Sequence, residues 1–127
     1  MEWVPWAEYD RLPDEVRRAG CALGIFGRSP KAMRVIPNKA YQALACGTPL
    51  VTAATPAAQE LLADDESALL VPPSDPDALA AALRRLRDDR GLATHIAAGG
   101  RAVYEERASE AVLGARWRAL FERLCGA

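Results

Sequence analysis

Arg28, Lys31 and Arg34 stand in one short loop, Gly27 to Pro37 (GRSPKAMRVIP), with no acidic residue among them. A helix start follows at Asn38. Its side-chain oxygen can accept an orphan backbone N–H and so cap a helix over Lys39 to Cys46. Positive side chains and free amides at a helix N-terminus would then face one point, which suits a diphosphate. The same loop also reads as a solvated segment that needs its charge only for solubility. Gln42 lies one turn into the helix, where an amide can pair with two vicinal hydroxyls of a ligand on the helix end. Taken from the residues alone, it is more simply a polar residue on an exposed face.

Other candidates carry less. His95 is the only histidine and lies in a helical tail far from any strand end, so a surface or partly buried role is expected. Cys46, beside Gly47 at a helix end, reads as a small packing residue. Asp64, Asp65 and Glu66 precede a strand and read as a solvated turn rather than a metal site. No Ser/His/Asp arrangement stands out. No catalytic residue and no metal ligand is therefore assigned.

The elements that must position the basic loop are legible from periodicity and turn residues. Met1 to Trp6 is a short apolar piece broken by Pro5, expected as a strand end running into a loop. Asp10 to Ala19 has helical spacing, with Leu12, Val16 and Ala19 on one face. Cys21 to Phe26 is a continuous apolar run, expected as a strand covered on both faces. Gly47 falls where a left-handed residue ends a helix, and Leu50 to Ala53 follows as a buried strand. Thr55 with Pro56 signals a second helix start. Ser67 to Val71 reads as another buried strand, and Asp75 with Pro76 begins the next helix. Amphipathic helices are expected from Asp77, over Gly91 to Arg107, and over Ser109 to Leu124. Alternating strands and helices predict an α/β fold: a parallel sheet with right-handed crossovers and a helical C-terminal tail. Ligands of such sheets sit at the carboxyl ends of the strands, which is where the basic loop falls.

The bulk properties narrow the class. A chain of 127 residues supports one domain with a modest core. Its formal net charge of -1 provides no basic field for nucleic acid or anionic lipid. Cys21, Cys46 and Cys125 lack metal-site spacing, which fits a reducing cytoplasm. No apolar run approaches the roughly 18 residues needed to span a bilayer.

The segments IPNKAYQALACGTPLVTA, TPAAQELL and SALLVPPSDPDALAAAL resemble, in combination and spacing, the donor-binding half of retaining GT-B glycosyltransferases of family 4. YDRLPDEVRRAGCALGIFG resembles the helix and strand that open onto that family's donor site. The resemblance runs from about Trp3 to the Glu105 region. It implies a truncated Rossmann-like domain, residues 1–127 being one partial C-terminal domain without its first two strands and without the acceptor domain. It implies a bacterial hexosyltransferase whose substrate is a nucleoside-diphosphate sugar, with no metal held by this chain. The donor would meet Gly27, Arg28, Arg34, Ile36, Pro37, Asn38, Lys39 and Gln42, and the nucleobase would lie near Val4, Pro5 and Trp6. Many members carry two glutamates separated by seven residues. Here those positions hold Arg34 and Gln42.

What the resemblance implies about partners follows from what is missing. The acceptor domain would come from the same gene or a partner chain, and an uncovered sheet edge invites a homodimer. The alternative is an interaction or scaffold module that completes a split enzyme. A cytoplasmic location is expected, peripheral to the inner membrane in a full-length enzyme, and negligible transfer is expected from the isolated chain.

Overall fold

The computed structural model describes residues 3–126. Three parallel strands form one sheet: β1 (Ala22–Leu23), β2 (Leu50–Ala53) and β3 (Leu69–Val71), in that spatial order. Ala22 faces Leu50 and Leu23 faces Val51; on the other side Val51, Thr52 and Ala53 face Leu69, Leu70 and Val71. The helices are α1 (Leu12–Arg18), α2 (Asn38–Cys46), α3 (Pro56–Leu61), α4 (Pro76–Asp88), α5 (Arg90–Val103) and α6 (Glu110–Cys125). A π turn, Tyr104–Ala108, joins the last two. The expected α/β parallel sheet with a helical tail is what the chain adopts.

Period-two alternation sends successive strand residues to opposite faces, and both faces are covered. Leu50 and Ala68 join Ala40, Ala43, Leu44 and Leu62 on one side. Val51, Leu69 and Val71 join Ala82, Leu86 and Ile96 on the other. The helix ends behave as their residues require. Thr55, Asp75, Asp89 and Ser109 each cap a helix through a side-chain oxygen that accepts a backbone N–H. Gly47 closes α2 at φ 66°, a left-handed conformation that glycine adopts without a Cβ penalty. Arg107 donates from Nη2 to the Glu60 carbonyl at 2.8 Å, placing a cation at the C-terminal end of α3.

Four expectations change. Met1 and Glu2 lie outside the described residues, and Trp3 to Trp6 forms no strand. Trp3 and Trp6 are 81% and 77% exposed. No neighbouring strand accepts this segment's backbone, and Pro5 has no N–H to offer a ladder. The first helix is shorter than its periodicity suggested. Tyr9–Arg11 is a 3-10 turn, α1 spans Leu12–Arg18, and Ala19 is an exposed cap. The apolar run Cys21–Phe26 is not covered all round: it is the edge of the sheet, and Leu23 is 41% exposed. Its pairing nevertheless runs past β1, since Gly24 N–H donates to Val51 at 2.8 Å and Ala53 N–H donates to Ile25 at 3.2 Å.

Finally, Asn38 does not cap α2. Pro37 does, at φ -71° and ψ 151°, with no side-chain cap, and Asn38 is the first helical residue. Pro37 holds the extended geometry of a cap position, and its carbonyl accepts the Ala40 N–H at 2.9 Å.

Burial separates the residues that hold this fold from those that do not. Leu44 is 1% exposed, whereas Leu124 on α6 is 70% exposed. Leu44→Ala is expected to destabilise the chain by about 2–5 kcal/mol, and Leu124→Ala by under about 0.5 kcal/mol. Urea unfolding of the two variants checks this ranking.

Candidate functional site

An open cleft of 680 Å³ lies at the carboxyl end of β1. The strand end, the basic loop and the start of α2 build it, and Gly27, Ser29, Lys31, Ile36, Pro37 and Asn38 are among the residues that line it. Several local forces hold this shape. Ser29 Oγ accepts the Ala32 N–H at 3.2 Å and so starts the 3-10 turn Ala32–Arg34. Ser74, at φ 57°, donates its N–H to the Phe26 carbonyl at 2.8 Å and ties the β3–α4 loop to the strand end. Because α2 carries no side-chain cap, the amide of its first residue, Asn38, meets no capping side chain at the cleft.

The basic residues do not converge. Lys31 lines the cleft. Arg28 turns away, its Nε donating to the Pro73 carbonyl at 3.1 Å. Arg34 ends the 3-10 turn as an exposed residue and is not part of the cleft wall. Lys39 is exposed in the first turn of α2, also off the wall. The structure thus brings Gly27, Ile36, Pro37 and Asn38 together with Lys31 and Ser29, two residues absent from the expected donor contacts. Lys31 was legible as part of the basic loop. Ser29 was legible as a turn former three residues before Ala32.

Gln42 faces elsewhere. It lies in a second, mostly apolar recess of 170 Å³ between α1 and α2, with Tyr9, Leu12, Pro13, Val16, Ala45 and Cys46. Val4, Pro5 and Trp6 line neither hollow; Trp6 Nε1 donates to Glu8 Oε1 at 3.3 Å. The aromatic residue at the recess is Tyr9. Its spacing to Leu12 and Val16 along one helical face is the signal that points to it.

The remaining titratable groups have structural roles or lie on the surface. Asp64 Oδ1 accepts the Leu70 N–H at 2.8 Å and the Asp65 N–H at 3.0 Å, and Asp65 pairs with Arg85 at 2.7 Å. The acidic run therefore shapes the turn before β3. His95 is exposed on α5. Burial pushes the Cys21 thiol above its ordinary range, which disfavours a thiolate there. Among the described residues no cluster of His, Cys, Asp or Glu could hold a metal ion.

A parallel α/β sheet with a cleft at its strand ends defines a class of ligand-binding domain. Comparison with known proteins then identifies the family. Residues 10–89, more than half of the chain, match the family described as Glycosyl transferases group 1, and the chain belongs to it. A lipopolysaccharide core biosynthesis glycosyltransferase, LpsD of Rhizobium meliloti (strain 1021), is 28% identical over 120 residues. That match covers 88% of this chain and 35% of the relative, so the chain spans about a third of that protein's length.

Solved structures agree on the fold. Sucrose-phosphate synthase (tll1590) of Thermosynechococcus elongatus superposes with a TM-score of 0.64 at 31% identity, over 68% of this chain and 22% of that one. Anabaena Alr3699/HepE, solved in complex with UDP-glucose, gives 0.70 at 21% identity, over 91% and 30%. The C-terminal domain of the group 1 glycosyltransferase LpcC of Francisella tularensis gives 0.65 at 21% identity, over 87% and 53%. The fold is that of GT-B glycosyltransferases, and the chain fits part of a C-terminal-type domain.

The cleft floor is unusually tight at one point. A Cβ on Gly24 would lie 2.2 Å from Thr52 Oγ1 and 2.5 Å from Thr52 Cβ. Gly24→Ala is expected to cost about 1–3 kcal/mol by forcing β1 away from β2. Thermal unfolding of the variant at wild-type stability would contradict the close approach.

Proposed function

We propose that this chain is the nucleotide-sugar-binding part of a retaining, family 4 GT-B glycosyltransferase. The enzyme would move a hexosyl group to a sugar or lipid-linked acceptor. The observation that carries the reading is the cleft at the carboxyl end of β1, where Lys31, Asn38 and the uncapped start of α2 meet. A diphosphate is the group that such a meeting of amides and positive charge suits. The similarity to HepE, which was solved with UDP-glucose, supports a nucleoside-diphosphate sugar as the ligand.

The second recess extends the reading. Its apolar walls and the Tyr9 ring suit the flat faces of a nucleoside, and the Gln42 amide suits vicinal ribose hydroxyls. Arg34 stands where many members of the family carry a glutamate. A guanidinium cannot serve there as a carboxylate, so the contacts to the donor sugar differ from those members. Retaining transfer needs donor and acceptor positioned from both sides and water excluded, which this chain alone does not supply. Its partner is an acceptor-side domain, and its own transfer activity is negligible.

Calorimetric titration with UDP, GDP and ADP tests the proposal. One of the three nucleotides should bind in the micromolar to millimolar range. Gln42→Ala should weaken it by about three- to tenfold, the loss of one net hydrogen bond. Nucleotide should also slow alkylation of Cys46, which shares the recess with Gln42. Absence of heat with all three nucleotides at millimolar concentration would refute the reading.

A further inference from the structure

Of the four cationic side chains in and just after the basic loop, only one lines the cleft. Lys31 does so, and it is the only charged residue in the wall. The wall contains no carboxylate; its other polar side chains are the neutral Ser29 and Asn38. Lys31 makes no ion pair among the described residues. Arg28 is held by the Pro73 carbonyl, and Arg34 and Lys39 lie off the wall. The charge that looked shared in the sequence is thus concentrated at one ammonium.

We propose that Lys31 is the residue by which this chain selects a diphosphate over an uncharged ligand. The inference rests on the nucleotide-sugar reading for the identity of the ligand, but the anion contact itself is a separate claim. A lysine with no ion pair among the described residues, in a wall that holds no carboxylate, attracts an anion without competition from that wall. Its flexible stem lets three donors follow phosphate oxygens, and no bidentate geometry is required of it. Arg28 is not part of the cleft wall, and its Nε bond to the Pro73 carbonyl ties the β1 loop to the β3 loop. Lys31 thereby supplies, from a loop after a strand this chain possesses, a phosphate-facing charge that needs no residue from another domain.

The test uses two probes on the full chain. Inorganic pyrophosphate is titrated while the backbone amides of Gly27, Ser29 and Asn38 are followed by NMR. UDP and uridine are titrated in parallel. Pyrophosphate should shift the cleft amides of the native chain, with a midpoint that rises with salt. Lys31→Ala should raise that midpoint by about tenfold, the value of one charge-assisted hydrogen bond. Lys31→Arg should restore most of it, and Arg34→Ala should leave it unchanged. The inference falls if the native cleft amides do not respond to pyrophosphate. It falls equally if Lys31→Ala responds as the native chain does, or if Arg34→Ala gives the larger loss. The nucleotide arm decides the other question. If pyrophosphate binds through Lys31 while UDP gains nothing over pyrophosphate, the anion contact stands and the nucleotide reading fails for UDP.

Discussion

The whole domain depends on the burial of β2 between two parallel neighbours. All four of its residues are buried, and it pairs with both other strands. A strand in that position must be apolar on both faces, and Leu50 and Val51 anchor the two separate halves of the core. The strand also sets the cleft. Thr52 presses so closely on Gly24 that no side chain fits there, and Ala53 donates to Ile25. The end of β1 is therefore fixed by β2, and the basic loop starts from that fixed point. Parallel pairing then requires a crossover, and the crossover is what brings the start of α2 to the same edge.

Elements whose signals are local were legible in the sequence. Thr55 with Pro56 and Asp75 with Pro76 state a cap and a first turn within two residues, and the chain folds that way. Gly47 states the end of α2 in the same manner. Leu50–Ala53 is apolar except for Thr52, whose hydroxyl donates to the Ile25 carbonyl, and with both faces covered it too was readable. The misreadings share a cause: they depend on what lies beside a segment. Cys21–Phe26 has the composition of a covered strand, yet exposure at Leu23 is set by the absence of a neighbour among the described residues. Trp3 to Trp6 has strand-like residues and no ladder to join. At α2, two adjacent residues competed for one cap. Asn38 has the better side chain, but Pro37 has its φ fixed, and backbone geometry prevailed.

The site was legible as a region more than as a set of contacts. Counting charges in the loop gave three equivalent cations. The cleft makes them unequal: Lys31, at the start of the 3-10 turn, is part of its wall, and Arg34, at the turn's end, is not. Arg28 is removed by a contact forty-five positions distant, which no local pattern contains. Helix geometry does the same for Gln42. Four residues beyond Asn38 is just over one turn, yet α1 packs against that flank and makes a recess of its own.

The two hollows differ in chemistry, and the proposed reading assigns them the two parts of a nucleoside diphosphate. One is rimmed by a cation and backbone amides, and the other is apolar with an amide and a phenol. An anion gains little in the second. A ligand that carries both groups would gain at each hollow, with α2 between them as the shared wall. Its N-terminal end faces the cleft and its flank faces the recess. The same helix packs into the core through Ala40, Ala43 and Leu44, so its position is set by burial and not by the ligand. That coupling explains why a small sheet suffices to hold such a site. The helix that organises both hollows is fixed by the strand that organises the core.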